Sequence, residues 1–366
     1  MHPNSGGSPC SMARKGEPHE GNTAMSVPPG LVIEGAEMAV DEAAAQSAEF
    51  GLHSKIEPWC VLLASRENAQ LPAITAHEHS AAQRQPAMTT RDPLAQTLRR
   101  AATVSSRDKI GAVIAGPAER WRLSAFKDLA LRNIFVQPKH QGTAYEVLLT
   151  LLQLEGRVPS TTPIVFLPSD HVVSDEEVMT RSLVSMVEWI SDAPRPVYLL
   201  GAVPEGPHDQ LGYVVPWHDA LQMPSSVYEF VEKPDVRQAR KLINAGGLWN
   251  TFIFGGIVLS ILELFRPKFD ATITALRTAL QANLSDPIEP RALTAIYDRL
   301  TPVDFSRDLL VKQADSLKVL RLPRCGWWPL KSPKRVSQIS DADAPLLDTG
   351  RDARERLSGN DSGLDR

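Results

Sequence analysis

The sequence predicts an α/β domain whose mostly parallel sheet is covered by helices on both faces. Three observations carry that expectation. Short, continuous apolar runs recur along the middle of the chain, segments of helical spacing separate them, and no internal repeat interrupts the alternation. A strand that is apolar at every position is buried on both sides, and a helix between such strands returns the chain for parallel pairing. Crossovers of this kind are right-handed, and ligands of such sheets lie beyond the carboxyl ends of the strands. That makes the turn PSDHVV (168–173) a candidate site before any motif is considered.

The elements follow in order. WCVLLA (59–64) reads as a buried strand, and RDPLAQTLRRAATV as a helix with Leu94, Leu98 and Ala101 on one face. KIGAVIA (109–115) is a strand, PAERWRLSAFKDLAL a helix, NIFVQ (133–137) a strand and GTAYEVLLTLLQLEG a helix. PIVFLPSD (163–170) is a strand that ends in a polar turn. SDEEVMTRSLVSMVEWISD follows as a long helix, with Ser174 as the expected N-cap and early acids that suit the helix dipole. PVYLLGA (196–202) is a further strand, and GYVVPW and VYEFVEKP read as antiparallel additions. Helices are expected to dominate from about residue 256 to 314, before a last strand, SLKVLRLP.

Composition bounds the function. Of 366 residues, 43% are hydrophobic, enough for a sizeable core, and the formal charge of −4 offers no electrostatic case for nucleic acid or an anionic membrane. Cys10, Cys60 and Cys325 form no CxxC or Cys/His cluster, so neither zinc nor a disulfide framework is expected. No apolar run reaches the roughly 18 residues of a membrane span. The N-terminal segment lacks the apolar stretch of a secretory signal, and a cytoplasmic location is the expectation. Residues 1–54 and 341–366 read as a disordered extension and tail around a domain spanning 55–340.

A few residues stand out chemically. Asp170 closes an apolar strand, where a carboxylate could hold Mg²⁺ against nucleotide phosphates. An Asx turn or helix cap is the plain alternative. Lys233 lies between a strand and a turn at Pro234, placed to neutralise a phosphate as a point charge, and a solvated surface lysine is the alternative. Gly142 and Thr143 open a helix whose free N–H groups suit an anion or a base edge, although both are ordinary capping residues.

In order along the chain stand QPKHQGTA (137–144), FLPSDHVV (166–173), GYVVP (212–216), VYEFVEKPD (227–235), LWNTFIF (248–254), VDFSRDLL (303–310) and CGWWPLKSPKRV (325–336). Together they resemble the mannose-1-phosphate guanylyltransferases of the sugar-1-phosphate nucleotidyltransferase family, over roughly residues 57 to 336. The resemblance implies a Rossmann-like three-layer α/β/α nucleotide-diphospho-sugar transferase fold with a mostly parallel mixed sheet. It implies the reaction of mannose 1-phosphate with GTP to give GDP-mannose and pyrophosphate, with Mg²⁺. By motif match Asp170 would bind the metal and Lys233 the sugar phosphate. Gly212, Glu232 and Asn250 would line the sugar pocket, with Gly142 and Thr143 near the nucleotide.

Two departures qualify the resemblance. The family's loop GGxGTRL aligns on SRENAQL (65–71), so Ser65, Arg66 and Asn68 stand at glycine positions, and Ala69 and Gln70 replace the Thr-Arg pair. Side chains then fill space that the phosphates need, and Arg66 is the residue that could replace the lost cation. The Asp that follows GW in the family, and completes the metal site, is here Pro329. A family lysine finds its nearest counterpart in Arg84, in a loosely matching stretch. The expectation is a guanylyltransferase-like protein with impaired turnover. The alternative is a non-catalytic homologue that binds sugar nucleotide or acts as a regulator partnering an active relative. The expected partners are GTP and mannose 1-phosphate or GDP-mannose, and a second copy of the chain or that relative.

Overall fold

Alternate residues of the central strands face two different cores. In β1 (Trp59–Leu63), Trp59, Val61 and Leu63 enter one cluster, and Cys60 and Leu62 the other. β4 (Pro163–Pro168) repeats the pattern, with Ile164 and Phe166 against Val165 and Leu167. Because successive side chains of a strand point to opposite faces, a run that is apolar throughout needs cover on both sides. A computed structural model of the protein describes residues 57–65, 93–116, 126–217, 224–285 and 291–330. The expected terminal extensions, Arg66, Asn68, Ala69, Gln70 and Arg84 lie outside the described residues.

The cover comes from helices on both faces. α1 (Pro93–Ala102), α3 (Glu176–Asp192) and α4 (Val236–Asn244) pack on one side; α2 (Thr143–Leu154), α5 (Val258–Glu263) and α6 (Arg266–Ser285) pack on the other. Two short helices, α7 (Arg291–Tyr297) and α8 (Phe305–Asp308), join the second group. Among the described residues, no helix is long and apolar enough to cross a membrane.

The main sheet also holds β2 (Ile110–Ala115), β3 (Ile134–Gln137), β6 (Val197–Ala202), β7 (Tyr213–Pro216), β8 (Ser225–Val231), β9 (Leu248–Ile257) and β10 (Leu317–Leu322). Its order is β3-β2-β1-β4-β9-β6-β10-β8-β7. β1 pairs in parallel with β2 and β4, and β10 with β6, while β9 runs antiparallel between β4 and β6. β7 and β8 are antiparallel additions, as expected. A separate ribbon joins β5 (His171–Val172) to β11 (Trp328–Pro329).

Two local expectations change. The helix expected over PAERWRLSAFKDLAL falls partly outside the described residues, and its described part forms turns ending in a 3-10 turn at Leu131–Asn133. The cap of α3 is Asp175 rather than Ser174: its Oδ1 accepts from Val178 N at 3.1 Å. Helices take over after Ile257, close to the expected residue 256, and LWNTFIFGGI before them is a ten-residue strand at the sheet's centre. Nothing local marks that strand's direction, because its partners lie far away in sequence.

Candidate functional site

Because β9 runs against β4 and β6, its first residues lie beside their carboxyl ends: Asn250 pairs with Gly201, and Trp249 with Ala202. The expected ligand edge is therefore built from strand ends of β4 and β6 and a strand start of β9.

Gly212, Glu232 and Asn250 meet there. A Cβ on Gly212 would lie 2.5 Å from Glu232 Oε2 and 3.4 Å from the Asn250 Cβ, so glycine leaves room for the carboxyl group. Asn250 N donates to Gly212 O at 2.8 Å, tying β9 to the residue before β7. The Asn250 side chain is 8% exposed and oriented at both ends: Oδ1 accepts from Phe252 N at 3.0 Å, and Nδ2 donates to Ser306 Oγ at 3.3 Å. Burial pushes the Glu232 carboxyl up from 4.5 to about 7; the charge of Asp304 adds to the rise, and Lys233 and Arg307 oppose it. A carboxylate out of water but flanked by cations can both hold a proton and accept hydroxyl hydrogen bonds near neutrality.

Lys233 is exposed and adopts φ 48°, and Phe252 has φ 59°; they are the non-glycine residues with positive φ among those described. Such a conformation costs of order 1–3 kcal/mol and persists where surrounding structure imposes it. Both residues flank this pocket, one following Glu232 and the other donating to Asn250.

Gly142 and Thr143 cap α2, where expected, but their contacts are internal. Gly142 has φ 89°, and a Cβ there would collide with the Val303 carbonyl. Ala144 N donates to Val303 O at 3.1 Å, and Phe305 N donates to Thr143 Oγ1 at 2.9 Å. The pair thus docks the 303–305 backbone, whose continuation brings Ser306 to Asn250. That segment joins the positions expected on the nucleotide side to those expected on the sugar side. Sequence reading quoted VDFSRDLL as a motif and gave Asp304, Ser306 and Arg307 no role; no local signal marked them.

Asp170 sits past β4 at the carboxyl end, with Oδ1 3.8 Å from His171 Nε2. Gly326, at φ 65°, turns the chain so that β11 runs along β5, with Trp328 opposite Val172 and Pro329 opposite His171. Leu330 N donates to Asp170 O at 2.9 Å. The ribbon therefore delivers Pro329 beside Asp170, and a proline side chain donates no lone pair. Around it lies an aromatic cluster: the Trp328 ring is 5.2 Å from Trp249 and 5.8 Å from His208, and Trp327 is 5.1 Å from His171. No group of three or more His, Cys, Asp or Glu placed to hold a metal occurs among the described residues.

Sequence reading placed the α1 helix but gave its Thr97 and Arg100 no role. Arg100, 3% exposed, makes two hydrogen bonds of 2.8 Å to Glu176 and one of 3.3 Å to His171 O. Thr97 Oγ1 donates to Pro168 O at 3.3 Å. The two residues hold the carbonyls on either side of Ser169–Asp170. At the first described edge of the altered loop, Ser65 Oγ accepts from Gln137 Nε2 at 3.3 Å.

Comparison with known proteins gives this geometry a lineage. Residues 80–281, more than half of the chain, match the family described as nucleotidyl transferase. The alginate biosynthesis protein AlgA of Pseudomonas syringae pv. tomato is 32% identical over 130 residues, covering 35% of this chain and 26% of that protein. A mannose-1-phosphate guanylyltransferase of Salmonella muenchen is 30% identical over 135 residues, covering 36% of this chain and 28% of that protein. The matched stretch is thus little more than a quarter of the length of these relatives. Among solved structures, one described as mannose-1-phosphate geranyltransferase from Thermus thermophilus superposes with a TM-score of 0.57 at 21% identity, covering 74% of each chain. Another, described as mannose-6-phosphate isomerase from Helicobacter pylori, gives 0.54 at 14% identity, over 75% of this chain and 100% of that one. At these identities the structures speak for the fold. The strand-edge site, the order of motifs and the family match agree: the chain belongs to the nucleotidyl transferase family.

Proposed function

We propose that the chain is a mannose-1-phosphate guanylyltransferase-like protein that binds mannose 1-phosphate and GDP-mannose, and that its transfer step from GTP is strongly slowed. The observation that carries the reading is the assembly of Glu232, Gly212 and Asn250, with the glycine making room for the carboxyl group. In this reading Glu232 and Asn250 hydrogen-bond the sugar hydroxyls and Lys233 neutralises the sugar phosphate. Gly142 and Thr143 place the nucleotide side relative to the sugar side through the 303–306 segment. Arg66, the candidate cation of the altered loop, lies outside the described residues.

In the full reaction a sugar-phosphate oxygen attacks the α-phosphorus of GTP and pyrophosphate leaves. No covalent enzyme intermediate forms, so rate comes from positioning and charge stabilisation. Losing one such contact typically costs about 10²–10³ in rate. Here the glycine loop is replaced, and Pro329 stands where the resemblance calls for a carboxylate.

The test is pyrophosphate release from GTP, mannose 1-phosphate and Mg²⁺, run beside a calorimetric titration with GDP-mannose. Saturable GDP-mannose binding with turnover at least ~10²-fold below that of an active relative is the expected outcome. Turnover equal to the relative's would overturn the slowed step, and absence of binding would overturn the whole reading. A second reading, a non-catalytic sugar-nucleotide binder that works beside an active relative, draws its support from Pro329 lying opposite His171. Binding without any turnover, and co-purification with such a relative, would favour it.

A further inference from the structure

The surroundings of Asp170 and of Glu232 differ in a way that bears on how a phosphate is held. Mg²⁺ binds through one or two carboxylates together with phosphate oxygens and several retained waters, so it needs room and polar neighbours. Beside Asp170 the paired strand offers Pro329, and next to it the Trp328 indole packs 5.2 Å from Trp249 and 5.8 Å from His208. Asp170 itself lies 3.8 Å from the buried His171 ring. Among the described residues, an aromatic wall, a proline and one carboxylate do not make a site for a resident hydrated divalent cation. The Glu232 pocket is the opposite: Lys233 follows Glu232 directly, and Arg307 follows Ser306, whose hydroxyl accepts from the Asn250 amide at 3.3 Å. Asp304 Oδ1 accepts from Arg307 N at 2.8 Å and so fixes that residue's backbone. The Arg307 side chain is 64% exposed, with Nη2 3.1 Å from Asp308 Oδ2. It keeps other donors of its guanidinium for a second partner.

Resting on the proposed sugar-phosphate reading, we infer that this site binds its sugar phosphate without a divalent cation, the phosphate being neutralised by Lys233 and Arg307. Charge balance supports the assignment. Lys233 adjoins Glu232 and Arg307 adjoins Ser306 in the chain, and the acidic side chains Glu232, Asp304 and Asp308 are accompanied by Lys233, Arg307 and Lys312. A dianionic ligand therefore meets no large repulsive excess. Side-chain cations suffice for binding, whereas charge developing during transfer would still lack stabilisation, in keeping with a slow step.

The experiment is calorimetric titration of the full chain with mannose 1-phosphate, in EDTA and in excess Mg²⁺, repeated on Lys233→Ala and Arg307→Ala, with circular dichroism to check folding. The inference expects wild-type affinities within two-fold of each other in the two buffers. It also expects about a ten-fold loss in each variant, with Arg307→Lys recovering part of it. Binding that appears only with Mg²⁺ would sink the inference and leave the sugar-phosphate reading standing. Wild-type affinity in folded Arg307→Ala would do the same. Failure to bind in either buffer would remove the reading itself, and the inference with it.

Discussion

Glu232 concentrates the pocket's chemistry in one side chain. Its carboxyl is raised from 4.5 to about 7 by burial first, with Asp304 adding to the effect. The folded protein therefore holds that proton more tightly than the unfolded chain. The contribution to stability is fully present below about 4.5 and is lost as pH rises through about 7. Chemical denaturation across this window should show stability declining in the wild type, and a flatter profile in Glu232→Gln; parallel profiles would show that another group sets the slope. Sugar binding should run the other way, strengthening as pH rises through about 7, because the ionised carboxylate accepts hydroxyl hydrogen bonds better. Gly212→Ala tests the same contact sterically. The atom it would meet, Glu232 Oε2 at 2.5 Å, is the end of a flexible side chain. The fold should lose no more than about 1 kcal/mol while GDP-mannose binding falls at least ten-fold, since the displaced carboxyl no longer faces the sugar. Gly142→Ala differs, because it meets the fixed Val303 backbone at φ 89°; thermal denaturation should show a loss of at least about 2 kcal/mol.

At the scale of elements, α1 and α3 act as a clamp on the turn that carries Asp170. Arg100 is 3% exposed and its partner Glu176 is 44% exposed, so removing the arginine leaves a carboxylate that water can still reach. Arg100→Ala should therefore cost about 2–3 kcal/mol, below the usual range for a fully buried pair, with urea unfolding as the measurement. A loss under about 0.5 kcal/mol would show that the clamp contributes little. The α3 cap offers a cleaner contrast. Asp175→Ala should cost about 1 kcal/mol through loss of the bond to Val178 N, whereas Ser174→Ala leaves that bond intact. The sequence suggested Ser174 because serine is a favoured cap. The structure selects its neighbour because Ser174 N and Asp175 N both donate to Cys325 O, which sets where the helix can begin.

Across the whole molecule, Phe254 on β9 ties the sheet to α8 within one of its two cores. It stacks on Phe166 of β4 at 4.9 Å and on Phe305 of α8 at 4.8 Å, so one ring ties the central sheet to the segment that reaches Gly142 and Asn250. Phe254→Ala should destabilise the fold by ~3–5 kcal/mol in equilibrium unfolding and loosen sugar binding with it. The layers of this fold were legible in the sequence because strands buried on both faces must be apolar at every position, and the helices between them carry their own periodicity. WCVLLA, KIGAVIA, PIVFLPSD and PVYLLGA thus declared a covered sheet, and the ordered motifs declared the family. The residue types at the expected glycine loop and at Pro329 were legible too, since residue type alone decides whether a side chain can bind a metal. What only the tertiary structure decided is contact between residues far apart in the chain: the antiparallel seating of β9, the meeting of Gly212 with Glu232 and Asn250, and the docking of Val303–Ser306 on both sides of the site. Hydrogen bonds and close backbone approaches between such segments leave no local periodicity, and they exist only once the sheet has brought its strand ends together.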